Sequence, residues 1–215
     1  RRQWSFAATL AATLLAGLGV SIAVFGWHNN LEYLAVLRYL SRHGDALATN
    51  QSLNGLLHRL LHVGYFTTAA YGYPPYNATI YALTLCASAI LLLAALYVPF
   101  RQGRVGDTRD LLLFTMATTM ASPIAWEHHY GVFFLVFLAE MPKISKNWKT
   151  FFLLFGVYLL MTDNWAPLSI LMFTRWTFLL SHVFFAGFLF FLWLLFHDQF
   201  QMVGSAGYTP RRTQK

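Results

Sequence analysis

Three stretches of this chain, 5–25, 78–100 and 176–196, run as nearly unbroken apolar sequence. A helix that crosses a bilayer needs roughly 20 predominantly apolar residues, and each stretch meets that length. The composition agrees: 57% of residues are hydrophobic and 11% charged, at a mean hydropathy of +0.49. Soluble domains carry about 25% charged residues. The chain therefore reads as an all-α, polytopic membrane protein.

Shorter apolar runs supply the remaining spans. Residues 111–120 and 132–138 flank Ser122-Pro123-Ile124-Ala125-Trp126-Glu127-His128-His129-Tyr130. Each run is long enough to enter a bilayer and short for a full crossing, so the pair predicts a helical hairpin whose polar tip sits at or just below one surface. Residues 151–161 start a fifth span, 162–167 break it, and 168–173 return to apolar character. With 176–196 as the sixth, the sequence predicts about six transmembrane helices. Ionisable groups at membrane depth cost about 2.5–3.5 kcal/mol each on insertion scales, so by default they mark a functional site. Glu127, His128 and His129 stand in a row at the tip. The plainer alternative is an interfacial turn, with Trp126 and Tyr130 anchored at headgroup level.

Residues 26–76 differ from the rest, because charges, histidines and turn residues recur and no run reaches spanning length. This is expected to be a structured loop. Leu31, Leu34, Leu37 and Leu40, then Leu53, Leu56, Leu57, Leu60 and Leu61, mark two amphipathic helices. Asn54, His58 and His62 recur at i+4 steps on the second, forming a polar rail. Asn50 is expected to cap that helix. His58 and His62 also have metal-ligand spacing, with Glu127 and His128 as further ligands. The H-E-x-x-H glutamate is missing, so a solvated face is the better reading and no metal is assigned. The aromatic run 65–76 fits an interfacial belt, with stacking on sugar rings as the alternative. Cys86 is the one cysteine, inside an apolar run, which excludes an intrachain disulfide.

Basic residues set the expected orientation. The net charge of +7 does not point to nucleic acid, since in a membrane protein the distribution of Lys and Arg matters more than their sum. Only Arg38, Arg42, Arg59 and Arg175 fall on the side of the long loop and the hairpin tip, and eleven of the fifteen fall on the other. The positive-inside rule makes that second side cytoplasmic, with 198–215 as a cytoplasmic tail. Arg175 on the outward side would either hold a phosphate or snorkel to headgroups. His182, two turns further on, would lie on the same face. The chain opens on Arg1, and an upstream segment is expected.

Two motifs in order carry a resemblance. Asn50-Gln51-Ser52-Leu53-Asn54-Gly55-Leu56-Leu57-His58-Arg59-Leu60, followed by Ser122-Pro123-Ile124-Ala125-Trp126-Glu127-His128-His129, resembles the carboxy-terminal half of glycosyltransferase family 87, integral membrane enzymes of GT-C type that include polyprenyl-phosphate-mannose-dependent mannosyltransferases. The resemblance implies that 1–215 is one transmembrane domain, the carboxy-terminal part of a longer enzyme, in a bacterial inner membrane. It implies an inverting transfer of a hexose, with mannose expected, from a polyprenyl-phosphate sugar to a glycolipid or glycan acceptor on the extracytoplasmic face, with no cofactor. The family's catalytic aspartate lies in the amino-terminal half, and no residue here matches it.

On that reading His128, His129 and Glu127 are the expected catalytic residues. Asn50, Gln51, Asn54, His58, Arg59, Trp126 and Arg175 are the expected substrate-binding residues, with the arginines and histidines around the phosphate. The rival reading is a non-enzymatic membrane component, such as a lipid-linked glycan transporter or accessory subunit. Internal repeats would favour transport, and none is seen.

Overall fold

A computed structural model of the chain describes residues 4–61, 73–101, 103, 108–144, 146–162 and 166–205. The described residues hold helices and no strand. They divide into two compact units, Arg1–Arg42 and His43–Lys215.

In the first unit, α1 (Trp4–Phe25) meets α2 (Trp27–His43) at Gly26, whose φ of 81° lies where L side chains are strained. Asn30 braces the corner: its amide donates to the Gly26 and Ser21 carbonyls at 2.8 and 3.4 Å, and its Oδ1 accepts from the Ser21 hydroxyl at 2.8 Å. No residue of α1 is buried. α2 carries the leucine periodicity of its sequence, also without a buried residue.

The second unit contains α3 (Leu53–Leu60), α4 (Ala78–Arg101), α5 (Thr108–Ala121), α6 (Val132–Ile144), α7 (Trp148–Leu160) and α8 (His182–Ser205). Tight 3₁₀ segments occupy Glu127–Gly131, Ala166–Phe173 and Thr177–Ser181. α5 packs against α4, α6 and α8, and α7 packs against α6 and α8. Met116, Met120, Phe133, Val136, Leu154, Phe190 and Leu194 form the centre of the buried core. Phe137 stacks on Phe190 with ring centroids 4.1 Å apart.

Among the described residues, three helical stretches are long and apolar enough to cross a membrane: Trp4–Phe25, Ala78–Arg101 and Thr177–Phe196. The expected hairpin is present as α5 and α6, of 14 and 13 residues. At 1.5 Å per residue each is roughly 20 Å long, short of the ~30 Å hydrocarbon layer. α7, with 13 residues, ends where the sequence predicts a break, and the chain resumes in the 3₁₀ segment from Ala166. The last span opens as 3₁₀ before α8, which runs to Ser205 into the expected tail. His62, Asp163, the aromatic run 65–72 and residues 206–215 lie outside the described residues.

Candidate functional site

The site is built where the start of α3 meets the tip of the α5–α6 hairpin. Ser52 caps α3, its Oγ accepting from the Gly55 amide at 3.2 Å while donating to the Pro123 carbonyl at 2.9 Å. Asn50, the expected cap, has another task. Its Oδ1 accepts from the Ala125 and Ser52 amides, at 3.0 and 3.3 Å. Its Nδ2 donates to the carbonyls of Asp45 at 2.7 Å and Pro123 at 3.3 Å. The Gln51 amide donates to the Ala125 carbonyl at 2.8 Å, and Asn50 and Trp126 form an isolated antiparallel bridge. The two motifs, 62 positions apart from Leu60 to Ser122, are thus joined through main chain and side chains together.

Neighbouring side chains extend this joint. Gln51 Nε2 donates to the Ala48 and Leu180 carbonyls, both at 2.7 Å, and Oε1 accepts from the Phe184 amide at 3.3 Å. That amide lies in the first turn of α8, where N–H groups lack helical partners. The Tyr130 hydroxyl donates to the Gln51 carbonyl at 2.5 Å. Asn54 accepts from the Asp45 amide at 3.3 Å and donates to the Thr84 hydroxyl of α4 at 3.3 Å. Gly44, at φ 67°, passes so close that a Cβ there would fall 1.7 Å from Asn54 Oδ1. His58 Nε2 bonds the His43 carbonyl at 3.2 Å, which requires the proton on Nε2, because a carbonyl only accepts.

Arg59 was expected at a substrate phosphate, and it is fully buried. Its Nη1 donates to the Leu47 carbonyl at 2.6 Å, its Nη2 to the Asn50 carbonyl at 2.9 Å and the Ser181 hydroxyl at 2.6 Å, and its Nε to Ser181 at 3.1 Å. Burial lowers its pKa to about 10, opposed by Asp45 and Glu127, so the guanidinium stays charged at neutral pH. Its fork fastens the 47–50 loop and α3 to the entry of α8.

The polar rail is therefore corrected. Asn54 and His58 are both 1% exposed, whereas Leu60 and Leu61 are 45% and 49% exposed. α3 turns its polar face inward, because that face carries the bonds that join loop, hairpin and α8. The solvated face expected for His58 does not exist.

At the tip itself Trp126, His128 and His129 are exposed. The His129 amide donates to the Trp126 carbonyl at 2.8 Å, and the Trp126 amide donates to His129 Nδ1 at 2.9 Å. The Trp126 indole Nε1 donates to Asp45 Oδ2 at 3.3 Å, while Asp45 Oδ1 accepts from the Leu47 amide at 2.9 Å. The rings of His128 and His129 lie 4.4 Å apart, yet they serve different hollows. Thr49, Trp126, Glu127, His128 and Met161 line a cleft of about 510 Å³. Glu127, His128 and Met161 also border a hollow of about 240 Å³ that runs between α6 and α7 past Phe134, Phe137 and Tyr158. His129 lines a third, of about 230 Å³, with Thr115, Thr119 and Ser122. As expected for neighbouring positions on a helical turn, only one histidine faces the main cleft.

The family model for glycosyltransferase family 87 matches residues 1–123. The chain belongs to glycosyltransferase family 87. Searches of curated proteins and of solved structures give no match. Family 87 makes it a membrane glycosyltransferase, with a sugar donor and an acceptor as substrates. The matched range contains the whole first motif and ends at Pro123, so Trp126, Glu127 and His128 lie beyond it and draw their case from the cleft.

Of the residues singled out in the sequence, the structure brings Trp126, Glu127 and His128 to the cleft. It places Asn50, Gln51, Asn54, His58 and Arg59 inside the supporting joint. Arg175 is exposed, its guanidinium 5.5 Å from the Trp176 ring centroid, and it is not among the residues lining the cleft. Sequence reasoning passed over Thr49, Met161 and Ser181, none of which carries a charge to single it out; Asp45, one of the ionisable residues that the sequence sets on the side of the long loop, ties the Trp126 indole.

Proposed function

We propose that this glycosyltransferase moves a hexose, mannose by preference, from a polyprenyl-phosphate sugar to a hydroxyl of a glycolipid or glycan on the extracytoplasmic face of a bacterial inner membrane. The observation that carries this reading is the joint itself: the motif from Asn50 to Arg59 spends its polar atoms holding Trp126, Glu127 and His128 at the rim of one cleft. The loop and the tip share the side that the basic residues leave outward.

In the proposed inverting step, the acceptor oxygen bonds to the anomeric carbon as the bond from that carbon to the phosphate oxygen breaks. The phosphate leaves with the electron pair, and the hydroxyl proton passes to a base. Glu127 and His128 are the described ionisable side chains at the cleft rim, placed to orient the hydroxyl or take its proton.

Membranes from cells expressing the full-length protein, supplied with radiolabelled polyprenyl-phosphate mannose, test this. Label should pass to a lipid-extractable or glycan product, and Glu127→Gln should abolish most of the transfer at equal protein level. Transfer from a nucleotide sugar alone, with none from the polyprenyl donor, would sink the proposal.

A further inference from the structure

Asp45 is a carboxylate that the proposed reaction does not use. It stands in the loop between α2 and α3, 7% exposed, and three hydrogen bonds fix its place there. Its amide donates to Asn54 Oδ1 at 3.3 Å, its carbonyl accepts from Asn50 Nδ2 at 2.7 Å, and its Oδ1 accepts from the Leu47 amide at 2.9 Å. The second carboxylate oxygen, Oδ2, reaches the hairpin tip, where the Trp126 Nε1 donates to it at 3.3 Å.

One carboxylate therefore connects two walls of the main cleft. Leu47 lies two residues before Thr49 in the same loop, and Thr49 lines the cleft together with Trp126. The indole N–H is the one polar group of a tryptophan side chain, and it only donates. With Trp126 44% exposed, packing alone does not lock its side-chain torsions, so the bond to Asp45 fixes the plane that the ring shows to the cleft.

The chemistry at position 45 is specific. A carboxylate has two acceptor oxygens and no donor, and here both oxygens accept from N–H groups. An asparagine of the same shape has one acceptor and one NH₂. It can still serve the Leu47 amide, as asparagines do in turns of this kind, but it then sets its NH₂ against the indole N–H, donor against donor. A residue that only shapes the loop tolerates that exchange; one that holds the ring does not.

We propose that Asp45 is a positioning residue of this enzyme, whose carboxylate sets the plane of the Trp126 indole and with it the gap to Thr49 across the cleft. The kinetic consequence rests on the transferase reading; the hold on the ring does not.

The test uses the full-length protein in lipid nanodiscs with ¹⁵N at the indole nitrogen of tryptophan. The Trp126 signal is the one lost in Trp126→Phe. In the unmodified protein its N–H should exchange with solvent at least roughly fivefold more slowly than that of free tryptophan, the scale of one hydrogen bond, and Asp45→Asn should remove that protection. In the transfer assay Asp45→Asn should raise the acceptor KM roughly fivefold with kcat retained. In a Trp126→Phe background it should add nothing further, because both substitutions remove the same bond. Exchange at the free rate in the unmodified protein, or an Asp45→Asn defect that adds in full to that of Trp126→Phe, would overturn the assignment. The exchange rate of the unmodified protein decides the point even if Asp45→Asn fails to accumulate. It is read without turnover, so a failed sugar-transfer assay would count against the proposed reaction and not against the hold of Asp45 on the ring.

Discussion

The motif from Asn50 to Arg59 and the motif from Ser122 to Tyr130 have similar sequence character, polar and titratable residues set in an apolar chain, and opposite fates. In the first, Asn50, Gln51, Asn54, His58 and Arg59 are all at most 1% exposed, with their side-chain donors and acceptors engaged inside the protein. In the second, main-chain groups are bound by the first motif while the side chains of Trp126, Glu127 and His128 meet the cleft. The difference teaches that an expensive polar residue in a membrane protein has two explanations, framework and working surface. A full accounting of hydrogen bonds separates them where polarity alone cannot.

The comparison breaks most readily at Arg59. Replacing it with Met leaves the Leu47 and Asn50 carbonyls without their charged donor and should destabilise the second unit by about 3 kcal/mol or more. Arg59→Lys should rescue little, because an ammonium does not reproduce the fork that reaches three acceptors. Thermal unfolding in detergent, or abundance in the membrane, reads both. A stable Arg59→Met enzyme with selectively impaired donor binding would move Arg59 from framework to surface.

At the tip the expectation runs the other way. His128→Ala should lower turnover by roughly 100-fold, the scale of general acid–base contributions, with abundance and unfolding temperature unchanged. His129→Ala should have a smaller effect on turnover, since His129 faces a different hollow and its Nδ1 receives the Trp126 amide. Wild-type rates in both variants at equal protein level would leave the interfacial turn as the better account of this stretch.

The smallest effect sharpens the border between the two regions. Trp126→Phe keeps an aromatic ring at the rim and removes the bond from the indole to Asp45. Losing one such bond is worth about 1 kcal/mol, or roughly a fivefold rise in the acceptor KM with kcat unchanged. A fall in kcat of tenfold or more would mean that Trp126 takes part in positioning the reacting groups themselves.

Much of this architecture was legible in the residues. The long apolar runs and the short pair around Ser122–Tyr130 announce the spans and the hairpin, because span length follows directly from bilayer thickness. The leucine period locates α2 and α3. The direction in which α3 faces was hidden, since periodicity gives the spacing of a stripe and not which stripe is covered. Asn54 is buried because Gly44, Asp45 and Thr84 stand opposite it, and His58 because it meets the His43 carbonyl. The site was half legible for the same reason. Glu127 and His128 show themselves by their charge, whereas Arg59 looks like a phosphate ligand until Ser181, 122 residues away, claims its fork.

That last contact bears on how the enzyme is made. Arg59 and Gln51 precede the hairpin in the chain, yet their partners Ser181, Leu180 and Phe184 are synthesised only after it. A ribosome-bound intermediate that has inserted α4 to α7 therefore carries a charged side chain and an amide that still lack part of their binding partners. Closing the rim of the cleft is expected to wait for the span that begins at Thr177. A chain halted before Thr177 should remain protease-sensitive around residues 47–59 even with its hairpin fully inserted.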